Sequence, residues 1–495
     1  MTVKLMAYAT NRYEKLDYYF GIDLLAQYME TNNVQAEKNC FVVNVYETDL
    51  GYTFRKKKIE YEPNNIPEII HLEAIIKMIQ NYKEGIDIIT GLDKYLYPIE
   101  LDNLKELKDF AERFKVEDGD IIGHQVLYFF LLHTIFFILQ LKQNNPDVKF
   151  KTVLGGYHIT LSEVTREFLS KFDFVEHMVI NDGRKPLLDI ATGKNNDKIQ
   201  TGYFNDDKMT FPAYNKIDRM MRKDKKFQVM SSVGCVNNCR FCASKREYLE
   251  YDLDYLEAYI LEQNNVYPIS DLVLVDDALN ASTQRLKDLC RMFLRIRKKI
   301  NNNLVWRAHG YADFIDDECA QLMIDSGCDS IFLGTESFDN EVLKYINKRC
   351  TVEKYLEVIN ALAKGNVEVR LGIIVDLPNE TDERFYNSLN VIKSIVNENV
   401  VITPTIFKLY AGSNFYNNPI ENGININFWD QSIIDQLEEI KGMKIPKSYN
   451  YINRPGELDP LEKVKLVMKY TNLHFATERL FKGITENEQN IDSNY

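Results

Sequence analysis

Apolar positions along the chain alternate between short, nearly continuous runs and segments with three- and four-residue spacing, the pattern of strands exchanging with helices. Residues 3 to 9 and Asn39 to Tyr46 are such runs, and between them Tyr18, Ile22, Leu25 and Tyr28 mark one face of a helix. Strand, helix and strand in that order predict a parallel sheet. After helices around 66–82 and 102–114, Asp120-Ile121-Ile122-Gly123-His124 reads as a short strand and the apolar stretch from Val126 to Leu141 as a long helix. Lys151 to His158 then reads as a strand closing in Gly155-Gly156, and Val175 to Ile180 as one closing in Asn181-Asp182-Gly183-Arg184. In a doubly wound sheet the ligand lies beyond the carboxyl ends of the strands, where glycines let backbone approach a bulky group.

Residues 1–200 are therefore expected to form a Rossmann-like α/β domain. The polar stretch Asn195 to Asp224, with Phe211-Pro212-Ala213 near its middle, reads as a linker, bounded at 201–225. From Gln228-Val229-Met230-Ser231 a second series begins, with strands at Asp271–Val275, Val305–His309, Ser330–Gly334, Glu368–Val375 and Ile402–Leu409. Helices alternate with them from Leu253 to Gln263 and near 283–299, 316–326, 339–347, 352–364 and 382–397. That alternation predicts an open barrel of about six βα units over 226–413, with its chemistry at the carboxyl ends of the strands. Residues 414–495 carry helical stretches at 428–441 and 459–482 around an irregular Pro446–Pro455 segment, and read as a mostly helical cap over the barrel. The last residues, Thr485 to Tyr495, are expected to fray.

With 45% hydrophobic and 12% aromatic residues in 495, the chain has material for several packed cores. A net charge of −13 argues against a binder of phosphate backbones, and Arg55-Lys56-Lys57-Lys58 reads as a solvated face. Eight cysteines, three of them in one motif, make no disulfide framework in a chain this long, so the reducing cytoplasm is the expected compartment. Cys40, Cys290, Cys319, Cys328 and Cys350 fall on apolar patterns and read as buried small hydrophobes. The start, Met1-Thr2-Val3-Lys4-Leu5, shows no secretory signal. His133, Thr134 and Gln140 interrupt the run from Val126 to Leu141, which makes it a buried helix and not a membrane span.

One stretch changes the picture. Ser232-Val233-Gly234-Cys235-Val236-Asn237-Asn238-Cys239-Arg240-Phe241-Cys242 places three thiols in a C-x-x-x-C-x-x-C spacing. Three thiolates this close can hold three irons of a [4Fe-4S] cubane and leave the fourth iron open. A structural zinc knot needs four ligands, and no further paired element follows within forty residues. The spacing, with an aromatic before the last cysteine, resembles that of the radical S-adenosylmethionine (SAM) superfamily, where the open iron chelates SAM and an electron cleaves it to a 5′-deoxyadenosyl radical. The adjacent carboxylates Asp276-Asp277 suit an ammonium group, and the resemblance implies that they hold the amino group of SAM. It implies a similar role near the ribose and methionine portion for Glu336 and Ser337 in Phe332-Leu333-Gly334-Thr335-Glu336-Ser337. The stretch Leu371-Gly372-Ile373-Ile374-Val375-Asp376-Leu377-Pro378-Asn379-Glu380-Thr381 resembles the strand and turn beside the adenine, with Asp376 and Asn379 in place of glycines. On that strand and turn Arg370 and Pro378 are the implied SAM-binding residues. Leu409-Tyr410-Ala411-Gly412-Ser413 corresponds to the last strand and its turn.

The first domain resembles the cobalamin-binding domain of cobalamin-dependent radical SAM enzymes. Asp120-Ile121-Ile122-Gly123, Gly155-Gly156-Tyr157-His158-Ile159-Thr160 and Asp182-Gly183-Arg184-Lys185-Pro186 stand where that family has its three characteristic turns. The resemblance implies cobalamin contacts at Gly123, Gln125, Tyr128, Gly155, Gly156, His158 and Gly183. There is no D-x-H-x-x-G, Gln125 replaces a small serine, and Arg184 stands where an acid is common. His124 and His158 are expected to line the pocket without ligating cobalt. The implied activity is functionalisation of an unactivated carbon, most often by methylation, on a peptide or small molecule, with an electron donor such as flavodoxin or ferredoxin and with no nucleic acid or membrane partner. The alternatives are rearrangement, cyclisation or epimerisation without methyl transfer, a tRNA methylthiotransferase, and a non-enzymatic iron-sulfur regulatory or interaction protein.

Overall fold

The computed structural model describes residues 1–10, 20–43, 66, 69, 71–127, 130–203, 211–214, 226–244, 247–300, 303–452, 454 and 457–471. The first of two six-stranded sheets has the order β2-β1-β3-β4-β5-β6. Its strands are β1 (Val3–Thr10), β2 (Ala36–Val43), β3 (Ile121–Gln125), β4 (Lys151–Gly155), β5 (His177–Asn181) and β6 (Ile199–Gly202). All five pairings are parallel. Leu5, Ala7, Val153 and Val179 pack on α1 (Phe20–Thr31) and on α7 (Arg184–Ala191), reached after α5 (Tyr157–Leu161) and α6 (Glu163–Ser170). Their neighbours Met6, Tyr8, Leu154 and Met178 face the opposite layer of α2 (Leu72–Lys83), α3 (Pro98–Arg113) and α4 (Leu131–Asn144). This alternation makes a sheet covered on both faces, as the apolar strands required.

β6 lies in the stretch that reads as linker. Its buried positions are Gln200 and Gly202 whereas Ile199 is exposed, so hydropathy carries no strand signal there. A Cβ on Gly202 would sit 1.7 Å from the carbonyl oxygen of Asp182, a distance no side chain tolerates. Phe211 and Tyr214, further along the stretch, are packed. Phe211 stacks on Tyr259 at 4.5 Å between centroids, and the Tyr214 hydroxyl donates to Asp23 of α1 at 2.8 Å.

The second sheet has the order β14-β13-β12-β11-β10-β7. Its strands are β7 (Lys226–Val229), β10 (Asp271–Leu274), β11 (Val305–Gly310), β12 (Cys328–Glu336), β13 (Glu368–Val375) and β14 (Val400–Ile406). The short β8 (Ser232–Val233) and β9 (Leu249–Glu250) pair antiparallel beside it. β7 and β14 are its two edges, so the barrel is open. Trp306, Ala308, Leu333, Val369, Leu371 and Ile402 join the core that packs against α8 (Leu253–Val266), α9 (Thr283–Ile300), α10 (Asp317–Asp325), α11 (Asn340–Tyr345), α12 (Val352–Lys364) and α13 (Asp382–Ile395). On the alternate face His309, Arg370 and Thr403 remain exposed in mid-sheet, which identifies that face as the accessible interior. No helix among the described residues is long and apolar enough to cross a membrane.

The C-terminal region is less helical than its sequence suggests, and it straps the two domains together. It comprises α14 (Asn414–Asn417), β15 (Ile424–Phe428), α15 (Gln431–Ile434), β16 (Pro446–Tyr451) and α16 (Pro460–Lys469). β15 and β16 pair antiparallel, and β16 occupies much of the segment that reads as irregular. The second expected helix ends at Lys469, and 472–482 lie outside the described residues. Ile424, Tyr449, Val464 and Val467 enter the barrel core, whereas Ile434, Leu437, Ile440 and Ile445 enter the helical layer of the first sheet. Ion pairs add to the strap. Lys463, fully buried, lies 3.4 Å from Glu380 and 3.6 Å from Asp382, and Arg454 lies 3.2 Å from Asp376.

His124 belongs to the core and not to a strand-end pocket. It faces α4, with the Tyr8 hydroxyl 3.4 Å from Nδ1 and the Phe137 ring edge-on at 5.9 Å. Burial holds its imidazole pKa down at about 3. The unfolded chain takes up a proton below an ordinary pKa of about 6.5 while the folded one does not, so this contribution to stability is lost as pH falls from 6.5 toward 3. His124→Phe is expected to flatten that part of the pH dependence. Urea midpoints at pH 7 and pH 4.5 for both proteins measure it, and an unchanged difference between the two pH values would contradict this reading.

Candidate functional site

The carboxyl ends of β7 and β10 meet through the carboxylate of Asp276. Its Oδ1 accepts from the hydroxyls of Ser231 (2.7 Å) and Ser232 (2.6 Å), and its Oδ2 from the Ser231 amide (3.0 Å). Burial pushes the Asp276 carboxyl up, and the serine donors oppose that. Asp277, next along and exposed, accepts the Gly234 amide at 2.8 Å. Gly234 has a φ of 79°, in the region that favours glycine, and from it the chain turns into the cysteine loop. Sequence reasoning groups both aspartates at a SAM ammonium. The structure instead commits Asp276 to building the loop and leaves Asp277 at the rim.

The loop is clamped from outside. The Arg240 amide donates to Ile346 (3.0 Å), the Asn347 side chain to the Asn238 carbonyl (2.8 Å), and the Phe415 amide of α14 to the Arg240 carbonyl (3.1 Å). The Cys242 amide donates to the Cys239 carbonyl at 3.2 Å, closing the C-x-x-C turn. Cys239 is buried and Cys235 and Cys242 are half-buried. Burial pushes the Cys239 thiol up to about 11, with the Lys348 ammonium opposing, and Cys235 and Cys242 raise it further. Among the described residues no three His, Cys, Asp or Glu side chains close on a single point. The donor set still fits a cluster, because one short loop presents three soft ligands within electrostatic reach of one another.

Glu336 ends β12 at a φ of 65° and pairs with the buried Lys348 at 3.2 Å. Lys348 also donates to the Gly334 carbonyl at 2.6 Å. A Cβ on Gly334 would come within 2.6 Å of a Glu336 carboxylate oxygen, so that glycine makes room for the acid. Ser337 does not share the site. Its hydroxyl is buried against that of Ser388 in α13 at 2.9 Å and accepts the Asp339 amide. Arg370 also lies elsewhere. It aligns with Phe332, three residues short of the Ile373 level that Glu336 reaches, and pairs with Glu368 at 2.5 Å. Pro378 is buried in its turn, where Asp376 and Asn379 adopt φ of 65° and 70°, the left-handed values that glycines would supply.

In the first domain most of the implied cobalamin contacts serve packing. A Cβ on Gly123 would lie 3.0 Å from Leu5, one on Gly183 3.1 Å from Leu25, and one on Gly156 2.9 Å from the Val126 backbone. His158 is fully buried, with Nε2 3.0 Å from the Thr165 hydroxyl of α6. Gln125 and Gly155 remain at the carboxyl edge, each half-buried. Tyr128 lies outside the described residues.

The sequence reading missed three residues of this rim. Tyr311 and Asn280 follow β11 and β10, and Lys348 follows α11. Asn280 stands just beyond Asp277, so its position was the available signal; Tyr311 and Lys348 stand in no motif.

The sequence model of the radical SAM superfamily matches residues 229–392. An uncharacterised methyltransferase of Pyrococcus horikoshii is 22% identical over 374 residues, 69% of this chain and 79% of that protein. A tRNA-2-methylthio-N(6)-dimethylallyladenosine synthase of Clostridium botulinum is 25% identical over 42% of this chain, which spans about half (51%) of that relative. Among solved structures, the radical SAM methyltransferase TsrM of Kitasatospora setae, with cobalamin and a [4Fe-4S] cluster bound, superposes with a TM-score of 0.59 at 14% identity, covering 95% of this chain and 89% of that one. The cobalamin-dependent SAM radical enzyme OxsB gives 0.51 at 14% identity over 90% of this chain and 57% of its own.

The two aspartates are expected to separate on substitution. Asp276→Ala strands three buried donors and should reduce iron uptake on anaerobic reconstitution. Asp277→Asn should leave iron content unchanged and weaken SAM binding roughly tenfold or more, as loss of a hydrogen bond to a charged group worth about 1.5–3 kcal/mol implies. Iron analysis and SAM titration of both variants check this, and a full iron complement in Asp276→Ala would remove that residue from loop building.

Proposed function

We propose that the chain, whose residues 229–392 match the radical SAM superfamily and whose two-domain fold is shared with TsrM, is a radical SAM enzyme that methylates an unactivated carbon of a peptide or small metabolite. The observation that carries the proposal is the meeting of the two carboxyl edges. Gly412, beyond the last barrel strand, lies so close to α5 that a Cβ on it would be 3.6 Å from the Leu161 carbonyl oxygen. The segments that follow the carboxyl ends of β4 and β14 thus meet at Leu161 and Gly412. Support comes from TsrM, described with cobalamin and a cluster and, in another structure, with tryptophan and a SAM analogue, and from the methyltransferase name of the Pyrococcus relative.

In this reading Cys235, Cys239 and Cys242 would hold the cluster, Asp277 and Glu336 would orient SAM, and Gln125 and Gly155 would border a cobalamin. When bound, the cluster supplies the electron that breaks SAM and cobalamin supplies the methyl group. The protein's residues would position these groups: the backbone clamps on Asn238 and Arg240 hold the loop, and the Lys348–Glu336 pair fixes the acid beside it. Flavodoxin or ferredoxin is the proposed electron source, and the reducing, anaerobic cytoplasm the proposed setting. Methylthiolation of tRNA is disfavoured by the net charge of −13 and by Cys40 being the only cysteine in residues 1–225. Gly123, Gly156 and Gly183 favour a second reading, because their use in packing leaves fewer residues for a corrin. In that reading the radical reaction is a rearrangement, cyclisation or epimerisation without methyl transfer.

Reconstituted protein given SAM and a reductant is expected to form 5′-deoxyadenosine, and to retain hydroxocobalamin through gel filtration. A Cβ on Gly155 would meet only Val179 atoms, at 3.8–3.9 Å, so the fold admits Gly155→Leu. That variant should lose the corrin and keep its iron. Wild-type protein that cleaves SAM and retains no cobalamin would replace methylation by the second reading.

A further inference from the structure

Tyr311 stands where β11 ends, and its hydroxyl lies 2.6 Å from Sγ of Cys235. The residue is held there by a two-point clamp. The Tyr311 amide donates to Asn280 Oδ1 at 2.8 Å, and Asn280 Nδ2 donates back to the Tyr311 carbonyl at 3.0 Å. Asn280 is itself buried. Its loop is tied to β11 once more, where the Leu279 amide donates to the His309 carbonyl at 2.8 Å. Gly310 gives the clamp its room, because a Cβ there would lie 3.1 Å from Asn280 Oδ1. None of these residues belongs to the cysteine motif or to the carboxylates of the rim.

The contact is chemically directed. A cysteine that ligates iron is a thiolate, which accepts and cannot donate, so the phenol must be the donor. The Asn237 amide reaches the same sulfur at 3.4 Å, a longer approach. Hydrogen bonds to cluster sulfurs are among the terms that set an iron-sulfur potential. A donor stabilises the more negative, reduced state more than the oxidised one, and therefore makes the cluster easier to reduce. Lys348 and Glu336 act on Cys239 and Cys242 and bring opposite charges.

We propose that Tyr311 is a positioning residue whose phenol donates to the Cys235 thiolate and raises the reduction potential of the cluster, with Asn280 holding it in place. The proposal rests on the cluster assignment above, and iron content separates the two: wild-type protein without a cluster overturns the assignment, whereas the effect of Tyr311 is read only from potentials of iron-replete protein. Tyr311→Phe, loaded with its full iron, is expected to show a more negative midpoint in an anaerobic titration followed by electron paramagnetic resonance. A tenfold loss in the reduction equilibrium corresponds to about 59 mV for one electron. Asn280→Ala, which keeps the phenol and frees its backbone, should shift the potential the same way by less. If the phenylalanine variant does not load, 3-fluorotyrosine at position 311, a stronger donor of nearly the same size, should shift the midpoint upward. A midpoint unmoved in an iron-replete Tyr311→Phe, or unmoved by the fluorinated residue, would overturn the proposal.

Discussion

The barrel's reactive end depends on one buried carboxylate. Asp276 faces away from solvent and takes three donors from Ser231 and Ser232. A carboxylate in that position is costly unless its lone pairs are met, and the serines meet them. The same bonds determine where β7 stops and the cysteine loop starts. Gly234 can then turn with positive φ under the Asp277 carboxylate, and Cys235 is carried across to Tyr311 on the far side of β10. Three strand ends are thus linked through side chains before any metal is considered.

The C-terminal strap extends the constraint to the first domain. It inserts Tyr449 and Val467 into one core and Ile434 and Ile440 into the other, so hinge motion between domains has to tear apolar surface from one of them. The ion pairs of Lys463 and Arg454 with Glu380 and Asp376 attach this strap to the turn after β13. Burial pushes the Asp376 carboxyl up to about 7 against the pull of Arg454 and Lys463. A turn with a buried acid is stable in that form only while the strap stays docked, because undocking leaves Lys463 and Glu380 without each other. The strap and the turn after β13 are therefore one unit.

Both sheets were legible in the sequence because parallel strands buried on two faces are nearly continuous apolar runs, and the helices between them keep a clear period. β6 was not, since its inward positions are glutamine and glycine. The strap was misread because Asn425, Asn427, Ser448 and Asn450 give its strands a polar face, so nothing in the pattern separated them from loop. At the site, spacing identified the thiols, and the turn residues Asp376 and Asn379 proved able to adopt the glycine conformation. The functions of paired residues were harder to read. Asp276 and Asp277 are neighbours in sequence yet point to opposite environments, and Glu336 and Ser337 do the same. Adjacent residues leaving a strand face opposite sides, so a motif read as a unit assigned two roles to one place. Glycines misled for a related reason: Gly123, Gly156 and Gly183 admit a neighbouring Leu or backbone, and a sequence cannot distinguish that neighbour from a ligand.

The interior face of the barrel bears on what a substrate meets. On β11 the His309 ring lies 4.9 Å from that of Phe332 on β12. A Cβ on Gly372 of β13 would lie 2.8 Å from the tip of the same phenylalanine, so the glycine allows the ring to lie across the next strand. Deeper in the barrel Arg307 pairs with Asp271 and Asp329, and Arg370 with Glu368, so these charges are spent on one another. Although the His309 residue is exposed to the open interior, the surrounding protein desolvates its ring and lowers its pKa, and the Asp277 carboxylate opposes that. Phe332 and Gly372 thus shape this face without polar chemistry of their own, whereas the carboxyl ends of β7, β10 and β12 lead into the cysteine loop, Asp277 and Glu336.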